Sequence, residues 1–124
     1  VLNKQRLLRP SSPHFTIYQP QLIWLASIAN RATGVLYGVS LAYLVAPSTF
    51  DSVHVVEFVA GLPDAAKYTG KALLAAPFAF HSLNGIRHLS WDMGNVLMSL
   101  KGVYETGYAV LAGTAISTVV LVLL

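Results

Sequence analysis

The chain has 124 residues, of which 55% are hydrophobic and only 10% are charged, whereas an ordinary soluble domain is about one-quarter charged. This composition indicates a membrane protein, and the length allows one small bundle rather than several domains. The eight basic and five acidic residues form no basic block interleaved with aromatic side chains, which argues against nucleic-acid binding. The absence of cysteine excludes disulfides and thiolate metal sites.

Residues 1–21 are polar and basic and include Pro10, Pro13 and Pro20. They predict an extended arm with turns that lies along a surface. The chain begins at Val1, so we expect either a leader that has been removed or a longer amino terminus.

Three apolar stretches, at 22–46, 65–94 and 104–124, predict an all-α protein with a three-helix transmembrane bundle at 22–124. A membrane span needs about 20 mostly apolar residues, and residues 106–124 carry no charge at all. Residues 51–64 hold the acidic residues of the first loop and predict a short interfacial helix. Pro77 removes one backbone hydrogen bond from the second helix, which predicts a local bend.

The distribution of basic residues predicts the orientation of the bundle. With three spans, only Lys67 and Lys71 lie on the far side of the membrane, and six basic residues lie on the side of the amino terminus: Lys4, Arg6, Arg9, Arg31, Arg87 and Lys101. This bias favours an amino terminus that faces the cytoplasm or the mitochondrial matrix. One membrane boundary then collects most of the polar residues of the helices: Ser27, Arg31, Arg87, His88 and Asp92.

The second helix ends in a cluster of ionisable residues at 81–92, with the sequence HSLNGIRHLSWD. An ionisable group inside a span costs roughly 2.5 kcal/mol or more, so such residues usually mark a site. His81 lies about 16 Å from Asp92 along a helix, close to mid-depth. Its imidazole can hydrogen-bond to a neighbouring helix or ligate haem iron, and the residues leave both interpretations open.

Two further residues of this helix bear on a haem site. Gly85 lies one turn after His81, and its missing side chain would let a flat macrocycle approach the backbone. His88 would lie near the headgroups, where an interfacial hydrogen-bonding role is favoured over ligation. Because only one histidine lies deep, a six-coordinate haem would need its second ligand from a partner subunit.

Ser27 and Arg31 are spaced i, i+4 and share one helical face. Near a membrane boundary, the hydroxyl and the guanidinium can bind the carbonyl oxygen of a quinone or a haem propionate. Alternatively, the arginine reaches lipid phosphates while the serine packs between helices. Rows of small residues on the first and third helices predict close helix packing: Gly34, Gly38 and Ala42, and Ala109, Gly113 and Ser117.

Four strings of the sequence resemble one family: RPSSPH at 9–14, IY at 17–18, SIANRATG at 27–34 and HSLNGIRHLSWDMG at 81–94. In this order they are similar to the cytochrome b large membrane-anchor subunit of succinate dehydrogenase, or respiratory complex II. The arm resembles mitochondrial members. The resemblance implies a multi-pass protein of the mitochondrial inner membrane, with its amino terminus on the matrix side, that acts in electron transport and the tricarboxylic acid cycle.

The resemblance also implies residue roles. His81 matches the haem b ligand, and the other axial histidine comes from the small anchor subunit. Ser27 and Arg31 match residues that line the ubiquinone pocket, with Arg31 also near the haem propionates, and Trp24 would contribute to the pocket wall. The family often has histidine where this chain has Asn30, which can hydrogen-bond to a propionate or water but cannot be charged near neutral pH.

The implied function is electron transfer from succinate to ubiquinone within a larger heteromeric membrane domain. The flavoprotein and iron–sulfur subunits would oxidise succinate, and this chain would contribute neither flavin nor clusters and would not be catalytic alone. Two alternatives stay open. One is a structural anchor without haem or quinone chemistry, and the other is a cytochrome b anchor of another respiratory dehydrogenase, although such anchors normally supply both haem ligands from one chain.

Overall fold

The structure is a computed structural model, and it describes residues 1–45, 52–94 and 98–124. Within these ranges every regular element is helical, which confirms the all-α class. In chain order the elements are α1 (Leu2–Leu7), a 3₁₀ helix (His14–Ile17), α2 (Leu22–Val45), α3 (Ser52–Ala60), α4 (Asp64–Gly94) and α5 (Leu100–Leu123).

Two of the long helices could cross a membrane on length and composition. They are Leu22–Tyr43 in α2, with a mean hydropathy of 1.2, and Leu100–Leu123, with a mean hydropathy of 1.8. Helix α4 is longer, at 31 residues, but among the described residues it does not meet the same criterion. Its apolar centre is flanked by charged and polar residues at both ends, which lower its mean hydropathy.

Two helices begin earlier than predicted, because polar residues extend them at their amino-terminal ends. Helix α5 begins at Leu100 rather than at 104, because Ser99 caps it by accepting a hydrogen bond from the Gly102 amide at 3.1 Å. An ion pair between Lys101 and Glu105, 3.7 Å apart, supports this first turn. The predicted helix at 65–94 begins one residue earlier, and residue 46 of the predicted first helix lies outside the described residues.

Residues 1–21 are exposed to solvent in this chain, but the predicted extended arm was wrong for Leu2–Leu7, which is helical. The turn at His14–Ile17 joins the arm to the bundle. There the Phe15 ring stacks on the Trp24 ring of α2, with ring centroids 5.6 Å apart and planes 8° apart. The interfacial segment predicted at 51–64 contains helix α3, whose residues are all exposed; Asp51 lies outside the described residues.

The main helix interface is between α4 and α5, and α2 lies against both. Small residues permit this packing, since a Cβ atom on Gly113 would lie 3.1 Å from the Leu83 side chain. In the predicted row on α2, a Cβ atom on Gly34 would lie 2.8 Å from the His81 side chain, whereas one on Gly38 would meet no atom of the described residues within 4 Å. Small residues therefore permit close packing on α5 and, at Gly34, on α2.

Most large apolar side chains of the long helices point away from the chain. Val35, Leu73 and Ile116, one on each helix, are 66%, 70% and 67% exposed. A protein surrounded by water would bury far more of its apolar side chains. The outer surface therefore suits lipid or further apolar helices.

Helix α4 continues through Pro77, which has no N–H group to donate to the preceding turn. One turn away, the Tyr37 hydroxyl of α2 donates a hydrogen bond to the Leu74 carbonyl. The Tyr37 ring also meets the Phe78 ring edge-on, with centroids 5.9 Å apart. Tyr37 thus joins α2 to α4 on one side of His81; the predicted bend at Pro77 stays a prediction.

Candidate functional site

His81 lies in the second half of α4 and faces α2, where it is half-buried. Its Nδ1 atom is 3.0 Å from the Asn30 carbonyl oxygen and 3.2 Å from Oγ1 of Thr33. A carbonyl oxygen can only accept a hydrogen bond. The imidazole therefore carries its proton on Nδ1 and donates it to α2.

This hydrogen bond determines which nitrogen of His81 can bind a metal. A neutral imidazole that donates from Nδ1 has its free lone pair on Nε2. Metal-ligating histidines usually donate their other N–H to a carbonyl, a carboxylate or water. No hydrogen bond within the described part of the chain involves Nε2 of His81. The two interpretations of His81 are thus compatible, since one nitrogen bonds to the neighbouring helix and the other is available as an axial ligand.

The glycines around His81 create space for the ring and beside it. A Cβ atom on Gly34 would lie 2.8 Å from Cε1 of His81, so the imidazole occupies the space that a side chain would need. On α4, an added Cβ on Gly85 would meet no atom within 4 Å. This open space beside Gly85 is compatible with the predicted approach of a flat macrocycle.

Asn30 contributes to the site in two ways. Its main-chain carbonyl accepts the His81 hydrogen bond, and its side-chain Oδ1 is buried without a hydrogen-bond partner in the described part of the chain. A buried polar atom without a partner is costly, so the Asn30 amide suits a site that another molecule or subunit completes. An amide oxygen can only accept a hydrogen bond, so Asn30 Oδ1 suits a donor from water or a partner subunit, whereas the Nε2 lone pair of His81 is the donor atom that fits haem iron.

The residues predicted to bind quinone lie on α2 as well. Trp24, Ser27 and Arg31 follow at intervals of three and four residues and share one face. Ser27 is half-buried and Arg31 is exposed, and within the described ranges the Arg31 guanidinium makes no hydrogen bond or ion pair. The Trp24 indole N–H donates to the Gln19 carbonyl at 3.2 Å.

A cavity of about 270 Å³ adjoins this face, lined by Phe15, Tyr18, Trp24 and Ile28. The arm therefore supplies part of its wall. Residues on a helix turn by about 100° each, so Thr33 points away from the face of Trp24 and Arg31, whereas Ser27 and Gly34, seven residues apart, lie on the same face. The candidate quinone residues therefore adjoin the side of α2 against which His81 packs.

The remaining polar residues of α4 do not join these sites. Arg87 is only 7% exposed, and its guanidinium donates to Thr106 Oγ1 at 2.9 Å, to the Val103 carbonyl at 2.7 Å and to Asn84 Oδ1 at 3.2 Å. It also lies 4.1 Å from the centre of the Trp91 ring, a cation–π arrangement. Arg87 thus connects α4 to α5.

The polar residues predicted to share one membrane boundary do not all meet, although parts of their helices lie near one another. A Cβ atom on Gly107 would lie 3.0 Å from the Leu22 side chain and 3.6 Å from the Arg87 guanidinium. The beginnings of α2 and α5 and the later part of α4 therefore lie together. His88 instead packs edge-on against Trp91, with ring centroids 4.9 Å apart, and Asp92 is exposed.

Sequence analysis did not identify Thr33, Asn84 or Thr106 as site residues. Asn84 is completely buried and lies three residues from both His81 and Arg87. A polar residue three positions from two other polar residues of an apolar helix could have indicated a buried contact. The sequence gives no such indication for Thr33 and Thr106, because a threonine in a helix can bond a carbonyl of its own helix, as both do here. Their second partners depend on the packing of the helices.

Within residues 1–45, 52–94 and 98–124, no three His, Cys, Asp or Glu side chains come together as a polydentate metal site. The candidate metal ligand is therefore a single histidine held between helices of an all-helical protein, and two of those helices have the length and composition of membrane spans. The helical elements, two of which could cross a membrane, define a class, the helical membrane proteins.

Comparison with known proteins gives the family within this class. Residues 5–121 match the family described as succinate dehydrogenase/fumarate reductase transmembrane subunit. The chain belongs to this family, and mitochondrial succinate dehydrogenase cytochrome b subunits are among the relatives to which it is similar.

Three relatives illustrate the similarity. The chain is 46% identical over 119 residues to the mitochondrial succinate dehydrogenase cytochrome B subunit of Schizosaccharomyces pombe, covering 90% of this chain and 66% of that protein. It is 42% identical to the cytochrome b560 subunit of Bos taurus, covering 91% of this chain and 69% of that protein. It is 39% identical to the cytochrome b556 subunit of Rickettsia bellii, with coverage of 91% and 90%.

The mitochondrial relatives are longer than the chain, which spans about two thirds of their length. A further relative, 37% identical over 94% of the chain and 63% of its own length, is the mitochondrial inner membrane protein SHH3 of Saccharomyces cerevisiae. The similarity therefore covers the helical region that contains His81 and the α2 residues.

Proposed function

We propose that this chain is the membrane-anchor cytochrome b subunit of a succinate:ubiquinone oxidoreductase in the mitochondrial inner membrane. The observation that supports this most is the geometry of His81, whose Nδ1 is engaged by the Asn30 carbonyl at 3.0 Å while Nε2 makes no hydrogen bond in the described part of the chain. Membership of the succinate dehydrogenase family supplies the enzyme context. The chain is not catalytic alone.

At the proposed haem site, His81 would hold the iron of haem b through Nε2, and the small anchor subunit would supply the second ligand. The open space beside Gly85 supports a bound group here, and Asn30 Oδ1, which has no partner in the described part of the chain, suits a hydrogen-bond donor from a partner subunit or water. When bound, haem b supplies one-electron redox chemistry. The chain's own contribution is to fix the imidazole tautomer and to keep the site between apolar helices.

The proposed ubiquinone-reduction site uses Ser27 and Arg31, with Trp24 on its wall. A guanidinium donates charge-assisted hydrogen bonds to oxygen, so Arg31 would orient a quinone carbonyl and favour the anionic reduced forms. Two observations support this assignment: the Arg31 side chain is exposed and has no partner among the described residues, and Trp24 lines an apolar cavity. Iron–sulfur and flavoprotein subunits would oxidise succinate and deliver the electrons.

In the membrane, we propose that α4 spans together with α2 and α5. Its packing against both of those helices supports this proposal, and its polar ends would lie at the headgroups. The excess of basic residues on one side favours an amino terminus on the matrix side. The exposed apolar side chains of the three helices would contact lipid and the small anchor subunit.

The proposal is tested by purifying the complete complex and recording its absorption spectrum. We expect a low-spin haem spectrum and succinate–ubiquinone reductase activity in the native complex, and loss of that spectrum in a His81→Ala variant. His88→Ala is the matched control, since His88 lies on the same helix but contacts Trp91. A His81→Ala complex with the native haem spectrum would remove His81 as the ligand, and a complex without haem would favour a structural anchor.

A further inference from the structure

We propose that Thr33 and Gly34 are positioning residues for the haem-ligating imidazole of His81. The proposal rests on the function proposed above and deepens it, because it assigns the orientation of the ligand to two residues of α2. The Thr33 hydroxyl would accept a hydrogen bond from the Nδ1–H group, and Gly34 would provide the surface against which the ring lies.

The hydrogen bonds of Thr33 show that its hydroxyl acts as an acceptor towards His81. Its Oγ1 atom lies 2.8 Å from the Ala29 carbonyl and 3.0 Å from the Asn30 carbonyl. A threonine hydroxyl has one proton to donate and two lone pairs. Because that proton is directed to a carbonyl of its own helix, a lone pair is available for the Nδ1–H of His81 at 3.2 Å.

The Nδ1–H group of His81 is therefore shared between two acceptors, the Asn30 carbonyl and the Thr33 hydroxyl. The carbonyl fixes the tautomer. The hydroxyl is a second acceptor that lies in another direction, and together the two hydrogen bonds limit rotation of the ring. Hydrogen bonding at the outer nitrogen also raises the basicity of a ligating histidine. A more basic ligand stabilises the oxidised iron, so Thr33 would lower the haem midpoint potential.

Gly34 acts through space rather than through a hydrogen bond. An added Cβ atom would come within 2.8 Å of Cε1, 3.5 Å of Nδ1 and 3.7 Å of Nε2 of His81. The first separation is below the range of real Cβ contacts, and the atom that it meets belongs to a rigid ring. An alanine at this position would displace the imidazole and weaken its hydrogen bonds to α2.

The test measures the haem itself in the purified complex, through its content, its low-spin EPR signal and its midpoint potential. We expect Thr33→Val, which keeps the shape and removes the hydroxyl, to raise the potential and shift the EPR signal. Thr33→Ser should restore both. Gly34→Ala should lower the haem content several-fold and broaden or shift the signal of the haem that is bound.

Two matched controls separate positioning from general damage to the helices. Thr114→Val removes the same kind of intrahelical hydrogen bond, from Oγ1 to the Val110 carbonyl at 2.7 Å, without a histidine partner. Gly38→Ala adds a methyl group one turn from Gly34, where no atom lies within 4 Å. Both controls should keep the native haem potential and EPR signal.

Failure of this inference is distinguishable from failure of the proposed function. If the native complex contains haem that is lost in His81→Ala, but Thr33→Val and Gly34→Ala keep the native potential, signal and haem content, Thr33 and Gly34 have no positioning role. Equal shifts in the Thr114→Val or Gly38→Ala controls would also overturn it. Retention of haem in His81→Ala would overturn the proposed haem site instead.

Discussion

Two arginines of this chain have opposite environments, and the contrast separates a structural charge from a functional one. Arg87 is buried between α4 and α5, where it makes three hydrogen bonds and stacks on Trp91. Arg31 is exposed on α2 and has no partner in the described part of the chain. A buried cation whose nitrogens are hydrogen-bonded holds helices together, whereas an exposed cation without a partner among the described residues is available to a ligand.

The buried polar atoms on these helices do not follow the same contrast. At the α4–α5 interface Arg87 bonds to two polar side chains and one main-chain carbonyl. Asn30 Oδ1 on α2 and Asn84 Nδ2 on α4 are both buried without a partner in the described ranges. Leaving a buried polar atom unpaired costs about 1–3 kcal/mol, so both atoms indicate places where another component would complete the chain.

The largest expected effect follows from removing the buried charge. We expect Arg87→Met to lower the stability of the complex by about 3 kcal/mol or more, because hydrogen bonds to a charged group contribute about 1.5–3 kcal/mol each. Asn84 would also lose its donor. The measurement is the thermal unfolding midpoint of the detergent-purified complex. Arg31→Met is the matched control and should leave that midpoint unchanged.

The opposite result for Arg87 has a definite physical meaning. The free-energy cost of desolvating a buried charge can exceed the free energy that its hydrogen bonds contribute. Well-packed apolar replacements are then neutral or stabilising. An unchanged or higher unfolding midpoint in Arg87→Met would show that its hydrogen bonds do not hold α4 to α5. Arg87 would then need another role.

The second prediction concerns the exposed arginine, Arg31, and measures activity rather than stability. We expect Arg31→Leu to lower succinate–ubiquinone reductase activity by about 10–100-fold, the equivalent of one lost hydrogen bond to a charged group. Oxidation of succinate with a dye that accepts electrons from the flavoprotein should be unaffected. The ubiquinone reductase activity of Arg31→Lys should lie between that of the native complex and that of Arg31→Leu, because an ammonium lacks the planar fork of a guanidinium. Native ubiquinone reduction in Arg31→Leu would remove Arg31 from the quinone site.

Much of the fold could be predicted because it follows from apolar length and helix-breaking residues. The all-α class and the beginnings of α2 and α4 follow from the sequence to within one residue. The beginning of α5 could not be found by that criterion, since Leu100 to Glu105 is a polar turn that forms through the Ser99 cap and an ion pair. Hydropathy detects the membrane-crossing part of a helix, and caps determine where the helix actually begins.

The site was predictable to the extent that its residues are chemically unusual for an apolar helix. His81, Ser27 and Arg31 stand out in this way, and Gly34 was assigned only to helix packing. Which nitrogen of His81 bonds to α2, and that Gly34 receives its ring, depends on the rotation of α2 against α4. Spacing within one helix contains no information about that rotation, so the partners of His81 became visible only in the folded chain.

The smallest effect is expected for Asn84, which lies between His81 and Arg87 on α4. Its replacement tests with which of these two residues it acts. It is fully buried three residues after His81 and three before Arg87, its Oδ1 accepts from Arg87, and its Nδ2 has no partner in the described part of the chain. If Asn84 belongs with Arg87, Asn84→Ala should cost about 1.5 kcal/mol for one lost hydrogen bond to a charged group, seen as a lower unfolding midpoint with an unchanged haem spectrum. Ser82→Ala, on the exposed side of α4, controls for the helix. A native midpoint with an altered haem spectrum would instead place Asn84, through its unpaired amide, in the environment of His81.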